Sequence, residues 1–377
     1  MFQIHDLKKD RFMLTGPFAT QGYDWWWHSF TGIHEQTGEE KAFFIEFFVC
    51  NPELGGDEPI FGQLPANQAA GVKPSYLMVK AGCWGRNARQ MHRFFGWNEV
   101  TVEKGVPFHI EADDCYCSEY ILTGSVNVSA EDAAAHPEYL CDAGSMRWEL
   151  AVDKQIAYNV GYGTSVPLCE AKAFEMYWHA EGMKTAFTGI VELDGETYRI
   201  EPETCFGYAD KNWGKNFTSP WVWLSSNDLV SNLSGKRLEN SVFDIGGGRP
   251  KVYAFPFERK LLGAFWYEGE CFEYNFSKFW NGSQTGFKCE ETDDEIIWKV
   301  IQENRDSVMK TLVRCRKEEM LLINYEAPDG TKRHNRLWNG GSGTGRIKLY
   351  RKTEGGKELI DDIRVGHIGC EYGEYTI

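Results

Sequence analysis

The sequence has no long hydrophobic run and no excess of positive charge. None of its apolar stretches approaches the roughly 18 to 20 consecutive residues that a membrane-spanning helix needs. Its 55 acidic residues outnumber its 40 basic ones, for a formal net charge of −15, which disfavours binding to nucleic-acid phosphates or anionic lipids. We therefore expect a soluble, cytoplasmic protein with no nucleic-acid partner and no transmembrane segment; a peripheral contact with a membrane stays compatible with the sequence.

Sequence signatures of metal and nucleotide sites are also missing. The eleven cysteines form no C-x-x-C pair, and only Cys115 and Cys117 lie close together; we expect reduced, buried thiols and no metal site. The glycine-rich residues 340–345 have neither a following helix pattern nor the lysine of a phosphate-binding loop. A Rossmann or P-loop enzyme is thereby disfavoured, and we expect no cofactor.

Aromatic residues and short strand-like runs are abundant. The chain has 24 Phe, 17 Tyr and 14 Trp, or 15% of its 377 residues, which indicates that something large, flat or apolar is enclosed. Residues 43–49 are almost continuously apolar, as in a central strand. Asp194-Gly195, between strand-like residues 187–193 and 197–200, predicts a tight hairpin turn.

Helical patterns are scarce. The clearest covers residues 129–140, where Ser129 is a suitable N-cap and Pro137 ends or kinks the helix. A second short helix is predicted at residues 65–71. Many strands with few helices predict an all-β chain of antiparallel barrels or sandwiches. Its length suits two domains, which we place at residues 1–195 and 196–377.

Residues 23–30 are the first candidate site. As a strand, this segment puts Asp24, Trp26 and His28 on one face and Trp25 and Trp27 on the other. Two interpretations stay open. The indoles pack the two sides of a sheet, or one face forms a ligand-binding wall that ends in a polar pair.

Two further candidates lie in the middle of the chain. His179 stands in a strand-like segment, where a single histidine is more often a structural residue than a catalyst. Residues 207–214 bring Tyr208, Asp210, Asn212 and Trp213 into what we predict to be a turn, followed by the aromatic residues 221 and 223. Asp and Asn also form turns for purely structural reasons.

A carboxyl group among indoles can act as an acid at neutral pH. Burial disfavours its ionised form and raises its pKa, so that it keeps its proton. Protonation of an electron-rich alkene gives a tertiary cation, which the faces of Trp and Tyr stabilise. A phenol or a water molecule then captures the cation, and no cofactor is required.

At these residues the sequence resembles the tocopherol cyclase family and, more remotely, the carotenoid 1,2-hydratases and lipocalin-like natural-product cyclases. Residues 208–214, Tyr-Ala-Asp-Lys-Asn-Trp-Gly, are similar to the family's Tyr-Ala-Glu-Lys-Asn-Trp-Gly element, and the Trp-x-Trp continuation follows at residues 221–223. Weaker similarities lie in residues 24–26, 338–341 and 369–373. The family's glutamate is here Asp210, one methylene shorter, and Ser225 stands where Gln is expected.

The resemblance implies two lipocalin-like (calycin) antiparallel β-barrel domains, and a cofactor-independent cyclase that closes a chromanol ring on a prenylated hydroquinone. It assigns the acidic position to Asp210. The predicted catalytic residues are Asp210, His179 and Tyr208. The predicted substrate-binding residues are Asn212, Trp213, Trp26, His28, Asp24 and Trp223.

Three functions remain open. The first is cyclisation of a prenylated quinol or phenol, with Asp210 or a protonated His179 as the acid. The second is hydration of an isoprenoid alkene, with water as the nucleophile. The third is a lipocalin-like protein that binds an aromatic lipophile without turning it over.

Overall fold

The computed structural model describes residues 2–3, 6–160, 174–248, 251–252, 255–256, 260–276, 278–330 and 337–373. Nearly all of its regular structure is β-strand. In these residues, no helix has the length and apolar character needed to cross a membrane.

The described residues contain three short α-helices, together with single 3₁₀ turns that are not labelled here. The helices are α1 (Leu7–Asp10), α2 (Pro65–Ala70) and α3 (Ala130–Ala135). The strands of the first half are β1 (Tyr23–His34), β2 (Glu40–Cys50), β3 (Tyr76–Cys83), β4 (Arg89–Phe95), β5 (Thr101–Glu103), β6 (His109–Ala112), β7 (Cys115–Ser118), β8 (Ile121–Val128), β9 (Gly144–Tyr158), β10 (Met176–Leu193), β11 (Glu196–Ile200) and β12 (Gly207–Gly214). Those of the second half are β13 (Trp221–Ser226), β14 (Asp228–Ser231), β15 (Val242–Gly248), β16 (Lys251–Val252), β17 (Phe255–Pro256), β18 (Lys260–Tyr267), β19 (Glu270–Tyr274), β20 (Gln284–Glu291), β21 (Glu295–Glu303), β22 (Ser307–Arg316), β23 (Leu321–Ile323), β24 (Leu337–Thr353) and β25 (Gly356–Gly373).

The strands form two large antiparallel sheets. The first has the order β4-β3-β2-β1-β11-β10-β9-β8-β7-β6-β5, and β12 also pairs with β1 and β10. The second has the order β19-β18-β15-β13-β25-β24-β22-β21-β20, with β14 on β25 and β23 on β24. Each sheet encloses its own apolar cluster, to which strands from across that sheet contribute, so each is barrel-like. The predicted all-β chain with two antiparallel barrels and few short helices is confirmed.

A third apolar cluster lies between the two sheets. It combines side chains of β1, β2, β10 and β12 with side chains of β13, β15, β18 and β24. Strand β2 therefore has one face in the first barrel and the other in this interface, and its residues from Phe43 to Cys50 are buried. Burial on both faces explains its continuous apolar sequence.

Local turn and cap predictions are confirmed. Asp194 and Gly195 have φ of +49° and +85°, and they connect β10 to β11 as a two-residue hairpin turn. The Ser129 hydroxyl accepts the amide of Asp132 at 3.0 Å and caps α3, which ends before Pro137. Helix α2 begins at Pro65 and ends at Ala70, within the predicted residues 65–71.

The prediction of a turn at residues 207–214 was wrong. These residues form the buried strand β12, which pairs with β1 on one side and β10 on the other. Two neighbouring strands satisfy its backbone, and its polar side chains find buried partners, so the turn preference of Asp and Asn is overridden.

The strands change sheets between Gly214, the last residue of β12, and Trp221, the first of β13. The division into domains at residues 195 and 196 stays a prediction. Strands β11 and β12 follow that position and pair within the first sheet.

Candidate active site

A small cavity lies between the two sheets. Its volume is about 20 Å³, room for roughly one water molecule. Its lining combines indoles, one phenol and two carboxyl groups: Trp25, Trp27, Asp210, Trp221, Trp223, Tyr325 and Glu371. A second cavity of about 10 Å³ shares Trp25, Trp221, Tyr325 and Glu371 with it. Acids and aromatic faces thus meet at one buried point.

Pairing between neighbouring strands of the first sheet determines which of its side chains face the cavity. Trp27 of β1 is paired with Asp210 of β12 and with Glu46 of β2, and Glu46 is paired with Lys80 of β3. Directly paired residues of antiparallel strands put their side chains on the same face. The four side chains therefore form a row across four strands, on the face towards the second sheet.

Asp210 is the acid at the centre of the site. Its Oδ2 accepts the indole N–H of Trp178 at 2.7 Å and lies 3.4 Å from the Tyr208 hydroxyl. Burial raises the pKa of Asp210 to about 8; the nearby Glu371 also raises it, while the Trp178 and Tyr208 hydrogen bonds lower it. At neutral pH this carboxyl group keeps its proton.

Tyr208 connects Asp210 to a second buried acid, Asp244 of β15. The Tyr208 hydroxyl lies 3.1 Å from Oδ2 of Asp244 and accepts the indole N–H of Trp223 at 3.1 Å. Burial, and then the proximity of Asp210, hold the pKa of Asp244 well above its usual range. Two carboxyl groups joined by one phenol thereby resist simultaneous ionisation.

Glu371 comes from β25 on the opposite side of the cavity. Its Oε2 accepts the indole N–H of Trp221 and its Oε1 accepts the amide N–H of Asn339, each at 2.5 Å. The Asn339 oxygen in turn accepts the indole N–H of Trp84 at 2.7 Å. Burial raises the pKa of Glu371 to about 7, although both hydrogen bonds oppose this.

An ion pair lies at one end of the row that contains Asp210. Lys80 Nζ is 3.0 Å from Oε2 of Glu46 and 4.2 Å from the centre of the Tyr325 ring. The side chains of Lys80 and Glu46 are fully buried. Burial raises the pKa of Glu46 and lowers that of Lys80, while the attraction between them opposes both shifts.

The structure divides the predicted site residues between the two faces of the first sheet. Asp210, Tyr208, Asn212 and Trp223 lie on the side of the interface, where Asn212 accepts the Tyr23 hydroxyl at 2.7 Å. The others face the interior of the first barrel: Asp24, Trp26, His28, His179 and Trp213. His179 pairs with Lys211 rather than with Asp210, so the structure does not bring the two predicted acids together.

The first barrel holds its own buried charges. Lys154 lies 2.7 Å from Glu119, 3.0 Å from Glu181 and 3.4 Å from Asp10, and His179 is 2.7 Å from Asp10. Against the effect of burial, Lys154 and His179 lower the pKa of Asp10, and Asp10 raises that of His179. Asp10 ends α1, so this network attaches the N-terminal segment to the barrel.

Several site residues were missed by sequence reasoning. Asp244, Glu46 and Glu371 were not selected, and neither were the indoles of Trp25 and Trp178. A usable signal was present in two of them, because Glu46 interrupts the apolar residues 43–49 and Asp244 stands in the strand-like residues 242–248. A charged residue in an otherwise buried strand needs a partner or a function.

A wider cleft of about 630 Å³ opens near the cavity. Its wall carries charged side chains, including Glu40, Lys41 and Arg86, and also the indole of Trp84. The Trp84 ring contacts Trp27 of the cavity wall, with 6.0 Å between their centres. Trp84 therefore stands between the cleft and the cavity.

Comparisons with known proteins assign a family to most of the chain. The tocopherol cyclase-like family model matches residues 123–373, a segment that contains Asp210, Asp244 and Glu371. No curated protein gives a significant match.

Solved structures that are similar to this chain have low sequence identity. A protein described as AttH from Nitrosomonas europaea is 10% identical, with 94% of this chain and 92% of that one covered and a TM-score of 0.40. Kievitone hydratase from Nectria haematococca is 10% identical, with 96% and 90% covered and a TM-score of 0.46. CghA in complex with Sch210972 is 11% identical, with 94% and 89% covered and a TM-score of 0.45.

Proposed function

The chain belongs to the tocopherol cyclase-like family, and from this premise we propose that it is a cofactor-independent cyclase. Its substrate is a small hydrophobic hydroquinone or phenol that carries a prenyl chain. Asp210 protonates the alkene of that chain, and the phenol oxygen closes a chromanol-type ring. The reaction is an isomerisation, because no atom is gained or lost.

One observation carries this proposal: a buried carboxyl group, that of Asp210, borders a cavity walled by indoles. Burial raises the pKa of Asp210 to about 8, so the group is a proton donor under conditions in which an exposed aspartate is ionised. The Trp178 N–H then stabilises the carboxylate that proton transfer creates.

The aromatic lining supports the second half of the reaction. Protonation leaves a tertiary cation, and the faces of aromatic rings attract cations through their quadrupoles. Trp25, Trp27, Trp221 and Trp223 border the cavity on several sides. The same rings exclude bulk water, which favours capture of the cation by a nucleophile of the substrate itself.

Substrate entry requires the cavity to widen. A volume of about 20 Å³ is far smaller than a prenylated phenol. Trp84 lines the 630 Å³ cleft and packs against Trp27, which lines the cavity. We propose that the substrate approaches from this cleft and displaces Trp84.

Hydration is the alternative, and the size of the cavity favours it. Space for one water molecule beside Asp210 is what a hydratase needs in order to hold its nucleophile. Protonation of the alkene by Asp210 is common to both reactions. The two differ only in which oxygen captures the cation.

The test is incubation of the protein in D₂O with prenylated hydroquinones and linear isoprenoids, followed by mass spectrometry. An isomeric product with one non-exchangeable deuterium is the expected result, and a product enlarged by one water would establish the hydratase. We expect Asp210→Asn to abolish turnover and to leave ligand affinity nearly unchanged. Undiminished turnover in this variant would remove Asp210 from the mechanism.

Recovery of bound but chemically unchanged ligand would instead favour the binding protein. In that case the affinity would depend on the cavity rings. Trp223→Ala would then abolish quenching of tryptophan fluorescence by the ligand, while Asp210→Asn would have no functional effect.

A further inference from the structure

Two carboxyl groups border the cavity, and their hydrogen-bond partners differ in kind. Both oxygens of Glu371 accept N–H groups, one from Trp221 and one from Asn339. An indole N–H can only donate. The amide of Asn339 is held in one orientation, because its oxygen already accepts the N–H of Trp84. Its NH₂ group must therefore point at Glu371, and this environment suits a carboxylate.

Asp210 also accepts an indole N–H, but only one of its two oxygens accepts hydrogen bonds from the described residues. Oδ2 accepts the Trp178 N–H and lies near the Tyr208 hydroxyl. In the described part of the chain, no hydrogen bond is made to Oδ1 of Asp210. This oxygen can carry a proton and release it to a substrate. One acid is thus built to hold a proton and the other to accept one.

We propose that Glu371 is the general base of the reaction, which removes the proton of the nucleophilic O–H group while Asp210 donates its own proton to the alkene. This assignment rests on the proposed function. It applies to a phenol O–H in cyclisation and to a water O–H in hydration. The substrate class is therefore an alkene whose less substituted carbon reaches Asp210 while the attacking oxygen reaches Glu371.

The steps balance without an oxidant or a reductant. The Asp210 O–H bond breaks as a C–H bond forms at the less substituted alkene carbon. A C–O bond then forms at the cationic carbon, the nucleophile's O–H bond breaks, and its proton moves to Glu371. Return of one proton from Glu371 to Asp210 through the water-sized cavity restores the enzyme.

The charges around the cavity are compatible with these roles. Burial raises the pKa of Glu371 to about 7 and that of Asp210 to about 8, so Asp210 is the group that holds its proton more firmly. Glu46 raises the pKa of both groups, and Lys80 lowers that of Glu371. Each group is thus poised near the pH at which it works.

The decisive variant is Glu371→Gln, which is assayed in D₂O for both product and deuterium in the recovered substrate. We expect product formation to fall about 100-fold or more, the usual contribution of a general base. Asp210 still protonates the alkene, and the uncaptured cation returns a proton to it. The recovered substrate should therefore gain deuterium, whereas Asp210→Asn should give neither product nor deuterium uptake.

Glu326→Gln is the matched control. Glu326 is also a buried glutamate that accepts two hydrogen bonds, from the hydroxyls of Tyr76 and Tyr139 at 3.1 and 3.3 Å, and it does not line the cavity. We expect wild-type product formation from it. Circular dichroism of each variant shows whether the fold is retained.

Trp221→Phe is a second, milder variant. It removes one N–H donor from the Glu371 carboxylate and should move the acidic limb of the pH–rate profile to higher pH. A merely structural role of Trp221 would instead lower the rate equally at every pH.

The outcomes separate this inference from the proposed function. Wild-type rates in Glu371→Gln, or a folded Glu371→Gln protein that loses deuterium uptake together with product, would overturn the base assignment alone. Absence of both product and deuterium uptake in the wild type would overturn the proposed function, and the base assignment with it.

Discussion

The indole N–H of Trp178 donates a hydrogen bond to Oδ2 of Asp210, with 2.7 Å between the two atoms. The two residues lie on neighbouring strands, β10 and β12, and both side chains are buried. This contact stabilises the carboxylate form of Asp210, which the proposed proton transfer creates. The strength of the acid therefore depends in part on this indole.

Trp178→Phe should slow turnover. The substitution keeps an aromatic ring but removes the N–H, so the carboxylate that forms during proton transfer loses its charge-assisted hydrogen bond. Such bonds contribute about 1.5–3 kcal/mol, which corresponds to a loss in kcat of about tenfold or more. The pKa of Asp210 should rise further, because this hydrogen bond lowers it. Steady-state kinetics across pH measure both effects.

Trp148→Phe is the control for the loss of ring volume. Trp148 is fully buried in the first barrel, and in the described residues its indole nitrogen has no hydrogen-bond partner. We expect it to lower stability without changing the pH–rate profile. Equal profiles in Trp178→Phe and Trp148→Phe would contradict the role given to the Trp178 N–H.

The dependence of kcat/KM on pH should be bell-shaped. Asp210 works as the neutral acid, so activity is lost as pH rises through its pKa of about 8. Glu371 works as the carboxylate, so activity is lost as pH falls through its pKa of about 7. The maximum should lie between these values. A profile that is flat from about pH 5 to 9, measured with chemistry rate-limiting, would contradict both assignments.

Asp24→Asn should lower the free energy of unfolding. Asp24 pairs with Lys211 inside the first barrel, where both side chains are fully buried, and it also accepts the backbone N–H of Met13 at 2.7 Å. The substitution leaves the Lys211 charge buried without its counter-ion. Loss of one partner of such a pair costs about 3–5 kcal/mol. Urea unfolding of the wild type and the variant measures the difference.

The double variant Asp24→Asn with Lys211→Met tests whether the buried charge of Lys211 causes this loss of stability. The second change removes the unpaired charge of Lys211 and places an apolar side chain of similar length in the site. It should therefore restore part of the lost free energy of unfolding. An unfolding midpoint of Asp24→Asn equal to that of the wild type would show that the pair contributes nothing.

Local patterns in the sequence were sufficient for the all-β fold class and for the hairpin at Asp194-Gly195. The choice of Asp210 as the acid stays a prediction. Strand alternation also correctly grouped Asp24, Trp26 and His28 on one face. It could not show which face borders the site, because that depends on where the second sheet packs. His179 and its neighbour Trp178 illustrate this, since adjacent residues of a strand point to opposite faces and Trp178 is the one that contacts Asp210.

The contacts that Asp244 and Glu371 make with the rest of the site could not be read from local patterns. Asp244 and Glu371 meet Tyr208 and the cavity only through the packing of one sheet on the other. Their strands lie far from β12 along the chain, and no turn or cap signal records that proximity. Long-range packing of this kind has no local sequence signature.

Packing between the sheets gives the last prediction, Gly246→Ala. A Cβ at this β15 position would lie 2.4 Å from the Trp178 ring, so alanine must shift the indole from its position beside Asp210. We expect the same effects as in Trp178→Phe, namely slower turnover and an alkaline limb of the pH–rate profile that lies at higher pH. The double variant should lose little more activity, because both changes act through one hydrogen bond. Gly286→Ala, where a Cβ meets nothing within 4 Å, should behave as wild type. Wild-type kinetics in Gly246→Ala would show that the position of Trp178 does not control the acid.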